Sequence, residues 1–342
     1  MKFAIMLGAT LLGIALGYLP SITKPRPRWW RMLALGSVTV VVVLALLPPT
    51  AGTVTDAVIA SRADSTAVVP VLLRSTLQPG AELSSIVASD ARDQRVVITV
   101  ILGPTIDPSL LPIDQPVILY LQRYGQDAQF VAQQVGQTDP LITLPYIMGL
   151  EERARIIFFH VPMSWVASIA YILGMIYAVA YLRTRKREYD TLSASAARIA
   201  TLYAILATVT GAIWAKFNWG MFWNWDPRQT SIFLLLLVYG AYFLLRSAVT
   251  DPTRRASLSA AYSIIAAPTV PFLIYILPRL IPGLHPGSAD DVNAGPLLSP
   301  QSDAINTVKQ MIFGGSLFSF TLIFFWLVSI DVRTTVFSLR KL

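Results

Sequence analysis

The chain has 342 residues, of which 54% are hydrophobic and 13% are charged, whereas soluble domains carry about 25% charged residues. With a mean hydropathy of +0.59, this composition excludes a soluble protein and predicts an integral membrane protein. The sequence has no cysteine, which excludes disulfides, thiolate metal ligands and cysteine nucleophiles in this chain. It has two histidines, and its net charge is +8.

Seven stretches are apolar and long enough to cross a membrane, for which about 20 residues are needed. They comprise residues 1–20, 32–49, 156–182, 199–215, 229–245, 256–278 and 310–330. Each is nearly or wholly free of acidic and basic residues, and we therefore predict seven transmembrane helices. Residues 1–20 are expected to be a retained helix, because no small-x-small cleavage site follows them and four basic residues do.

The basic residues are concentrated in alternate connections of this seven-helix pattern. The connections after the first, third and fifth stretches and the C-terminal tail together hold 15 of the 27 lysines and arginines, against four acidic residues. By the positive-inside rule these segments are cytoplasmic, so the N-terminus, residues 50–155 and the Trp-rich connection near residue 220 are outside. The net charge therefore indicates membrane topology, with the lipid bilayer as a partner, and no nucleic-acid partner is predicted.

Residues 50–155 are long enough for one small domain and carry short β-branched runs at 67–73, 95–102 and 115–122. Turn-forming proline and glycine residues separate these runs, which predicts a small external β-sandwich or barrel inserted between helices. The segment has no histidine, no cysteine and no glycine-rich phosphate loop. We therefore expect a docking or spacer domain without chemistry of its own.

Four of the eight tryptophans lie between Trp214 and Trp225, in a segment that also holds Lys216, Asp226 and Arg228. One or two tryptophans here would indicate only an aromatic belt at the membrane surface. The density of flat side chains beside basic groups instead favours a flat, apolar ligand with carboxylates, such as a porphyrin with two propionates. The step from Asp226 to the following proline also predicts a helix start, with Asp226 as its N-cap.

The two histidines fall on the same predicted face as the tryptophans. His160 lies within about one turn of the outer end of a predicted span, and His285 lies just beyond the outer end of another. A single interfacial histidine is explained by a hydrogen bond or a surface anchor. The pair, at the depth of the aromatic segment, instead favours two axial imidazole ligands of haem iron.

Residues 219–230, WGMFWNWDPRQT, resemble the tryptophan-rich WWD motif of haem-handling proteins of cytochrome c biogenesis. Residues 159–162, FHVP, with Trp165 downstream, resemble the first histidine motif of the heme exporter protein C (CcmC) family. Leu284-His285-Pro286 lies where that family has its second external histidine. The spans between residues 32 and 330 are similar in number and order to the six-helix core of the family.

The fold class predicted on this basis is an all-α polytopic membrane protein with seven transmembrane helices, a six-helix CcmC-like core and an inserted external β-rich domain. Its divisions are an extra N-terminal helix (1–20), the first core helix (32–49), the external domain (50–155), the haem-handling membrane core (156–330) and a cytoplasmic tail (331–342). The extra helix and the external domain are additions to the usual core of the family.

The resemblance implies a role in haem transport during cytochrome c maturation, without enzymatic activity of the chain itself. Such proteins hold haem b transiently and non-covalently on the outer, periplasmic face of the bacterial inner membrane. They present it to the haem chaperone CcmE and work with the CcmA/CcmB ABC-type complex and CcmD. When the functional residues of the family are matched to this sequence by their positions in the motifs, the implied iron ligands are His160 and His285. The other implied haem-binding residues are Trp219, Trp223, Trp225, Asp226 and Arg228. Arg228 or Lys216 is a candidate partner for a propionate.

Two other functions stay open at this point. The first is a subunit of a CcsA-type cytochrome c synthase, but that branch has further histidines within its spans and this chain has none. The second is a small-solute transporter or scaffold, which the nearly uncharged spans disfavour, since only Pro268 and Pro271 indicate a kink. A fused haem chaperone is not expected, because the external domain has no histidine.

Overall fold

The computed structural model describes residues 2–46, 49–50, 66–74, 85–91, 96–113, 115–124, 129–138, 144–145, 151–285, 287–289 and 307–339. The chain divides into two compact units. A helical unit comprises Met1–Ala45 and Arg155–Leu342, and a second unit, which contains the strands, comprises Leu46–Ala154. Pro286, which belongs to the predicted second histidine motif, lies outside the described residues.

The helical unit is built from long apolar helices and a few short ones. Within the described ranges the α-helices are α1 (Lys2–Gly17), α2 (Arg28–Leu46), α3 (His160–Thr184), α4 (Arg187–Trp219), α5 (Pro227–Ala248), α6 (Pro252–Ala266), α7 (Thr269–Pro271), α8 (Leu277–Leu280) and α9 (Thr307–Leu339). A 3-10 helix, Glu151–Phe158, leads into α3, and a π-helical turn, Phe272–Ile276, separates α7 from α8.

Six helical stretches are long and apolar enough to cross a membrane, and the chain is a multi-pass membrane protein. They are Arg28–Leu46, Arg155–Thr184, Arg187–Trp219, Pro227–Ala248, Pro252–Leu280 and Lys309–Val336. The predicted seventh span at residues 1–20 is not confirmed. Its helix, α1, has 16 residues and is about 24 Å long, shorter than the roughly 30 Å hydrocarbon core of a bilayer. The apolar run continues to residue 20, but the chain leaves the helix at Gly17, ahead of Pro20.

Glycines allow α1 to pack closely along α9. A Cβ atom at Gly13 would lie 2.9 Å from the side chain of Thr321, and one at Gly17 would overlap the ring of Phe325. Small residues of this kind let two apolar helices approach each other. The indole of Trp165 on α3 also donates a hydrogen bond to the hydroxyl of Thr10 (3.1 Å). α1 is therefore an integrated part of the helical unit.

α3 and α4 are held together along their length by small residues. A Cβ atom at Gly174 of α3 would lie only 3.5 Å from the carbonyl oxygen of Ser193 on α4, and the Ser193 hydroxyl donates to the Gly174 carbonyl (2.8 Å). Near the start of α4, Asp190 pairs with Arg246 of α5 (2.7 Å). This close packing brings the first residue of α3 against the second half of α4.

The span Pro252–Leu280 is irregular throughout its second half. α6 stops at Ala266, and the chain passes through α7 and the π-helical turn before it enters α8. Proline lacks the backbone donor of a regular helix and its ring obstructs the preceding turn, and Pro268, Pro271 and Pro278 lie in this stretch. The break directs the chain after α8 into the loop that carries His285.

The second unit contains a closed five-stranded barrel. Of the two predicted forms, a β-sandwich or a β-barrel, the barrel is therefore the one observed. Beside a short parallel pair of β1 (Pro49–Thr50) and β7 (Leu144–Pro145), its strands are β2 (Ala67–Leu73), β3 (Ser85–Asp90), β4 (Val97–Leu102), β5 (Pro116–Arg123) and β6 (Gln129–Thr138). They close in the order β2-β3-β4-β6-β5, with β4 and β6 parallel and the other neighbours antiparallel. This is the arrangement of an OB-type Greek-key barrel. Its core is built of aliphatic side chains, such as Val69, Val71 and Leu119, around the buried ring of Phe130.

Candidate functional site

His160 is the first residue of α3, and its ring packs against the backbone of α4. Its Nδ1 atom lies 2.8 Å from the carbonyl oxygen of Ala207 and 3.2 Å from the hydroxyl of Thr210. Because a carbonyl oxygen only accepts, Nδ1 carries the hydrogen and Nε2 keeps its lone pair, which is the tautomer that binds a metal through Nε2. Room for the ring exists because residue 211 is glycine, where a Cβ atom would lie 2.8 Å from Cε1 of His160.

Asp226 joins two segments of the site. It is buried, with 3% of its surface exposed, and it is the N-cap of α5, as predicted, since Oδ1 accepts from the backbone N–H of Arg228 (2.9 Å). Its other oxygen, Oδ2, accepts from the N–H of Leu284 (2.8 Å) and from that of His285 (3.3 Å). The carboxylate therefore fixes the His285 loop to the start of α5, a role that the sequence did not predict.

The ring of His285 lies among tryptophans at the end of α4. Its centroid is 5.8 Å from the ring of Trp214 and 6.3 Å from that of Trp219, and the two indoles meet edge to face at 5.1 Å. The loop is closed on its far side by Ser288, whose hydroxyl donates to the His285 carbonyl (2.7 Å). The indole Nε1 of Trp214 is buried and has no hydrogen-bond partner within the part of the chain that the structure describes.

Both histidines therefore pack against the C-terminal turns of α4. His160 contacts the helix at residues 207–211 and His285 contacts it at Trp214 and Trp219. From Gly211 to Trp214 the helix rises by about 4.5 Å. The structure thus brings the two predicted iron ligands to the same end of the helical unit.

The tryptophans of the motif form two groups. Trp219 belongs with Trp214 and His285, whereas Trp223 packs edge to face against Trp225 (5.8 Å) and Phe233 (6.3 Å). Trp225 has 70% of its surface exposed and a left-handed backbone (φ 55°), a conformation that is rare for a bulky residue and is found at functional sites.

The loop between α4 and α5 is stabilised by its own polar groups. Gln229 accepts from the N–H of Asn224 (2.8 Å) and donates to the carbonyl of Phe222 (3.1 Å). Lys216 donates to the carbonyl of Gly220 (2.8 Å), which ends α4 with a left-handed φ of 82°. The Lys216 ammonium is thus engaged at the end of its own helix.

Two guanidinium groups complete the site. Arg228 lies in the first turn of α5, and Arg279 lies on α8, which packs against α5. The backbone N–H of Arg228 donates to Oδ1 of Asp226. This end of the helical unit therefore combines two imidazoles and several indoles with a net excess of positive charge.

Some residues of the site were not predicted from the sequence. Trp214 belongs to the predicted Trp cluster but was not assigned a ligand contact. Arg279 carries a signal that could have been used, because the loop charges predict that this end of the span is external, where arginine departs from the positive-inside pattern. Ala207 and Gly211 carry no signal in the sequence, since only the packing of α3 on α4 places them beside His160.

The model of the family "Heme exporter protein C" matches residues 120–341 of this chain. The chain belongs to the heme exporter protein C family. Among curated relatives, it is 33% identical to heme exporter protein C of Bradyrhizobium diazoefficiens over 119 residues, or 35% of this chain and 45% of the relative. Over 135 residues it is 30% identical to heme exporter protein C of Paracoccus denitrificans, which is 40% of this chain and 56% of the relative.

The matched region contains every residue of the site described above, whereas α1, α2 and strands β2 to β4 precede it. The chain spans about half the length of the heme exporter protein C relatives just named. A shorter similarity links it to the cytochrome c biogenesis protein CcsA of Prochlorococcus marinus, at 39% identity over 77 residues, or 22% of this chain and 25% of that protein.

Proposed function

We propose that this chain binds haem in cytochrome c maturation and passes it on as cargo, as a haem-handling component and not as an enzyme. The observation that carries this proposal is the hydrogen bond between His160 Nδ1 and the Ala207 carbonyl (2.8 Å). It holds the imidazole on a helix in the tautomer that ligates iron through Nε2. A histidine that served only as a structural hydrogen-bond donor would not need a second histidine and a tryptophan cluster one helical turn away.

The residues present suit haem in three respects. His160 and His285 supply two nitrogen donors for the axial positions of the iron. The indoles of Trp214 and Trp219 offer flat apolar surface, and the buried Nε1 donor of Trp214 is available to an acceptor on the ligand. Arg228 supplies positive charge for a propionate. The chain has no cysteine, so no thioether bond to haem can form, and the two imidazoles hold haem b through the iron without a covalent bond to the ring.

The family and the loop charges support a proposed location and proposed partners. The positive-inside rule predicts that the basic connections are cytoplasmic, and on this basis we propose that the site lies at the outer face of a bacterial inner membrane. There it presents haem to the chaperone CcmE, in company with the CcmA/CcmB complex and CcmD. The barrel of the second unit serves as a docking or spacer domain, because residues 50–155 contain no histidine or cysteine.

A CcsA-type synthase subunit is the second candidate, and the 39% identity to CcsA over 77 residues favours it. Such an activity attaches haem to an apocytochrome, whereas a haem-delivery protein binds haem without attaching it. Both histidines of the chain lie at the one site. No further histidine is therefore available within the spans for a second haem, and we favour haem delivery.

Absorption spectroscopy of the full chain, purified in detergent from haem-replete cells, tests the proposal. We expect bound haem with the low-spin spectrum of two imidazole ligands, and loss of that spectrum in the double variant His160→Ala/His285→Ala. Co-expression with an apocytochrome c, without other maturation proteins, separates the candidates, since covalent attachment would favour the synthase. A wild-type chain that neither carries haem nor binds it on titration would overturn the proposal.

A further inference from the structure

The two segments that carry the histidines are joined to each other at a distance from the histidines themselves. His285 follows α8, and α8 follows the π-helical turn Phe272–Ile276. Tyr275 of this turn contacts α3, where its hydroxyl donates to the Oγ atom of Ser168 (3.1 Å). Ser168 lies eight residues after His160, about 12 Å along the same helix. One hydrogen bond therefore connects the helix that begins at one proposed iron ligand with the segment that leads to the other.

The direction of this bond is fixed by a second one. The Ser168 hydroxyl has a single hydrogen, which it donates to the carbonyl of Ser164 (2.9 Å), so its oxygen accepts from Tyr275. The Ser164 hydroxyl in turn donates to the carbonyl of His160 (3.2 Å). The three α3 residues are spaced by four and lie on one face of the helix. Tyr275 thus binds to the face of α3 that begins at His160.

Trp165 restrains the ring of Tyr275. The two rings meet edge to face with their centroids 6.0 Å apart, and the Trp165 indole donates to the hydroxyl of Thr10 on α1 (3.1 Å). Thr10 is itself buried and donates to the carbonyl of Met6 (2.8 Å). The Tyr275 side chain is therefore held at its hydroxyl by α3 and at its ring by an indole that α1 fixes.

Tyr275 is the one polar residue of the π-helical turn, whose sequence is FLIYI. Phe272 and Ile276 of the same turn are 43% and 48% exposed, whereas the Tyr275 hydroxyl reaches α3. Polar side chains within membrane spans face the interior of the bundle and mark functional positions, and π-helical turns are frequent at functional sites. Both properties indicate that the turn does more than connect α7 with α8.

We propose that Tyr275 is a positioning residue of the haem site, whose bond to Ser168 sets the spacing between the two axial histidines. The inference rests on the proposed function. His160 is held separately, through the Ala207 carbonyl on α4, so loss of the Tyr275 bond leaves that ring in place. The same loss frees the turn that leads, through α8, to the loop of His285. The bond from iron to His285 therefore depends on Tyr275, and the bond from iron to His160 does not.

The test removes the Tyr275 hydroxyl and follows the iron ligands. In Tyr275→Phe, Ser168 keeps its bond to the Ser164 carbonyl, so no donor on α3 loses its acceptor. The matched control is Tyr262→Phe, on α6 of the same span, which also loses one hydrogen bond, to the Val238 carbonyl (2.9 Å). Full-length chains with bound haem are purified in detergent. Their absorption spectra, their rates of haem loss to apomyoglobin and their thermal unfolding temperatures are measured.

We expect Tyr275→Phe to show a high-spin component, which added imidazole removes, and to lose haem about threefold faster, an effect of the size of one hydrogen bond. Ser168→Ala, which removes the acceptor instead, is expected to give the same spectral change. In a His285→Ala background, Tyr275→Phe should not accelerate haem loss further, because the ligand through which it acts is already gone. Tyr262→Phe should keep the wild-type spectrum and rate.

The outcomes separate the inference from the proposed function. A wild-type spectrum and rate in Tyr275→Phe would show that the residue supports the fold only, and so would changes of equal size in Tyr262→Phe. Further acceleration by Tyr275→Phe in the His285→Ala chain would mean that Tyr275 does not act through His285. Each of these results would overturn the inference and leave the proposed function standing. A wild-type chain that binds no haem would refute the proposed function, and the inference with it.

Discussion

The two histidines of the site are held by different kinds of structure. His160 opens α3, a helix of 25 residues, and its ring is fixed by the Ala207 carbonyl and by the space at Gly211. His285 lies in a non-helical loop after α8, and its backbone is fixed through Asp226 and Ser288. Among the described residues, hydrogen bonds to Asp226 and Ser288 hold the loop, whereas core packing supports the helix along its length, so we expect the loop to open at a lower free-energy cost.

This asymmetry suits a protein that must both retain and release its cargo. The span before the loop contains the π-helical turn Phe272–Ile276, and such turns occur at functional sites because they interrupt a regular helix. We therefore expect the bond from His160 to iron to persist while the bond from His285 exchanges.

Removing each histidine separately gives the largest expected effects. We expect His160→Ala to weaken haem binding by at least about 100-fold, since loss of a group that merely supports a ligand already costs about 10–100-fold. His285→Ala is expected to lose less affinity and to become high-spin, and added imidazole should restore its low-spin spectrum. Titration and absorption spectra of both variants measure this difference.

A larger loss in His285→Ala than in His160→Ala would reverse the comparison. Unchanged spectra in both variants would contradict the two-ligand site altogether. The chain has no other histidine and no cysteine, so a methionine, a tyrosine or a partner protein would then ligate the iron.

Adding a methyl group to α4 at Gly211 displaces the ring of His160 without removing the histidine. In Gly211→Ala the new Cβ atom would lie 2.8 Å from Cε1 of His160, so the ring must move away from the Ala207 carbonyl. We expect about tenfold weaker haem binding and a mixed-spin spectrum. Gly240→Ala on α5 is the matched control, because nothing lies within 4 Å of its Cβ position. Equal behaviour of the two variants would show that the ring position does not matter for binding.

Asp226→Asn tests the loop histidine in the same way. An asparagine keeps the N-cap contact with Arg228, but an NH2 group in place of Oδ2 would face the N–H groups of Leu284 and His285, which also donate. We expect a several-fold loss of haem affinity with faster release, and little change in the thermal unfolding temperature. Asp251→Asn is the control, since Asp251 caps α6 through the N–H of Arg254 (2.6 Å) and lies outside the site. Identical release rates in the two variants would argue against a role for the carboxylate in positioning His285.

The tryptophans are expected to have smaller effects than the ligands. Trp219 contacts His285, whereas Trp223 contacts Trp225 and Phe233. An aromatic pair contributes about 0.5–1.5 kcal/mol beyond its buried area, so Trp219→Ala is expected to weaken binding roughly three- to tenfold. Trp223→Ala should weaken binding less, and both variants should keep a low-spin spectrum. A stronger effect of Trp223→Ala would place haem against the group formed by Trp223, Trp225 and Phe233.

Short-range sequence patterns predicted the secondary-structure elements that depend mainly on neighbouring residues. The core spans, the start of α5 at Asp226 and three of the barrel strands follow from apolar runs and turn residues. β3 and β6 were missed because serine and glutamine replace the β-branched residues that mark a strand. The seventh span is not confirmed, and hydropathy alone does not show where its helix, α1, ends at Gly17.

The contacts within the site could be predicted only in part. A cluster of tryptophans and two histidines near one membrane face are visible in the sequence, but their partners depend on how the helices pack. The contact of His160 with Ala207 spans 47 positions of the chain, and that of Asp226 with Leu284 spans 58. Neither pairing follows from the spacing of one segment, since both require the register of one helix or loop on another.

The smallest expected effect comes from the second unit. Both histidines and all their described contacts lie within the helical unit, and residues 50–155 contain no histidine and no cysteine. We therefore expect a chain in which a short linker replaces residues 56–149 to keep its haem and its low-spin spectrum, while transfer of haem to a partner falls. The spectrum is measured on the purified chain, and a thermal unfolding transition like that of the wild type shows that the helical unit is intact. Loss of haem from such a folded chain would mean that the barrel completes the site, and the contrast between a helix-borne and a loop-borne ligand would then describe only part of it.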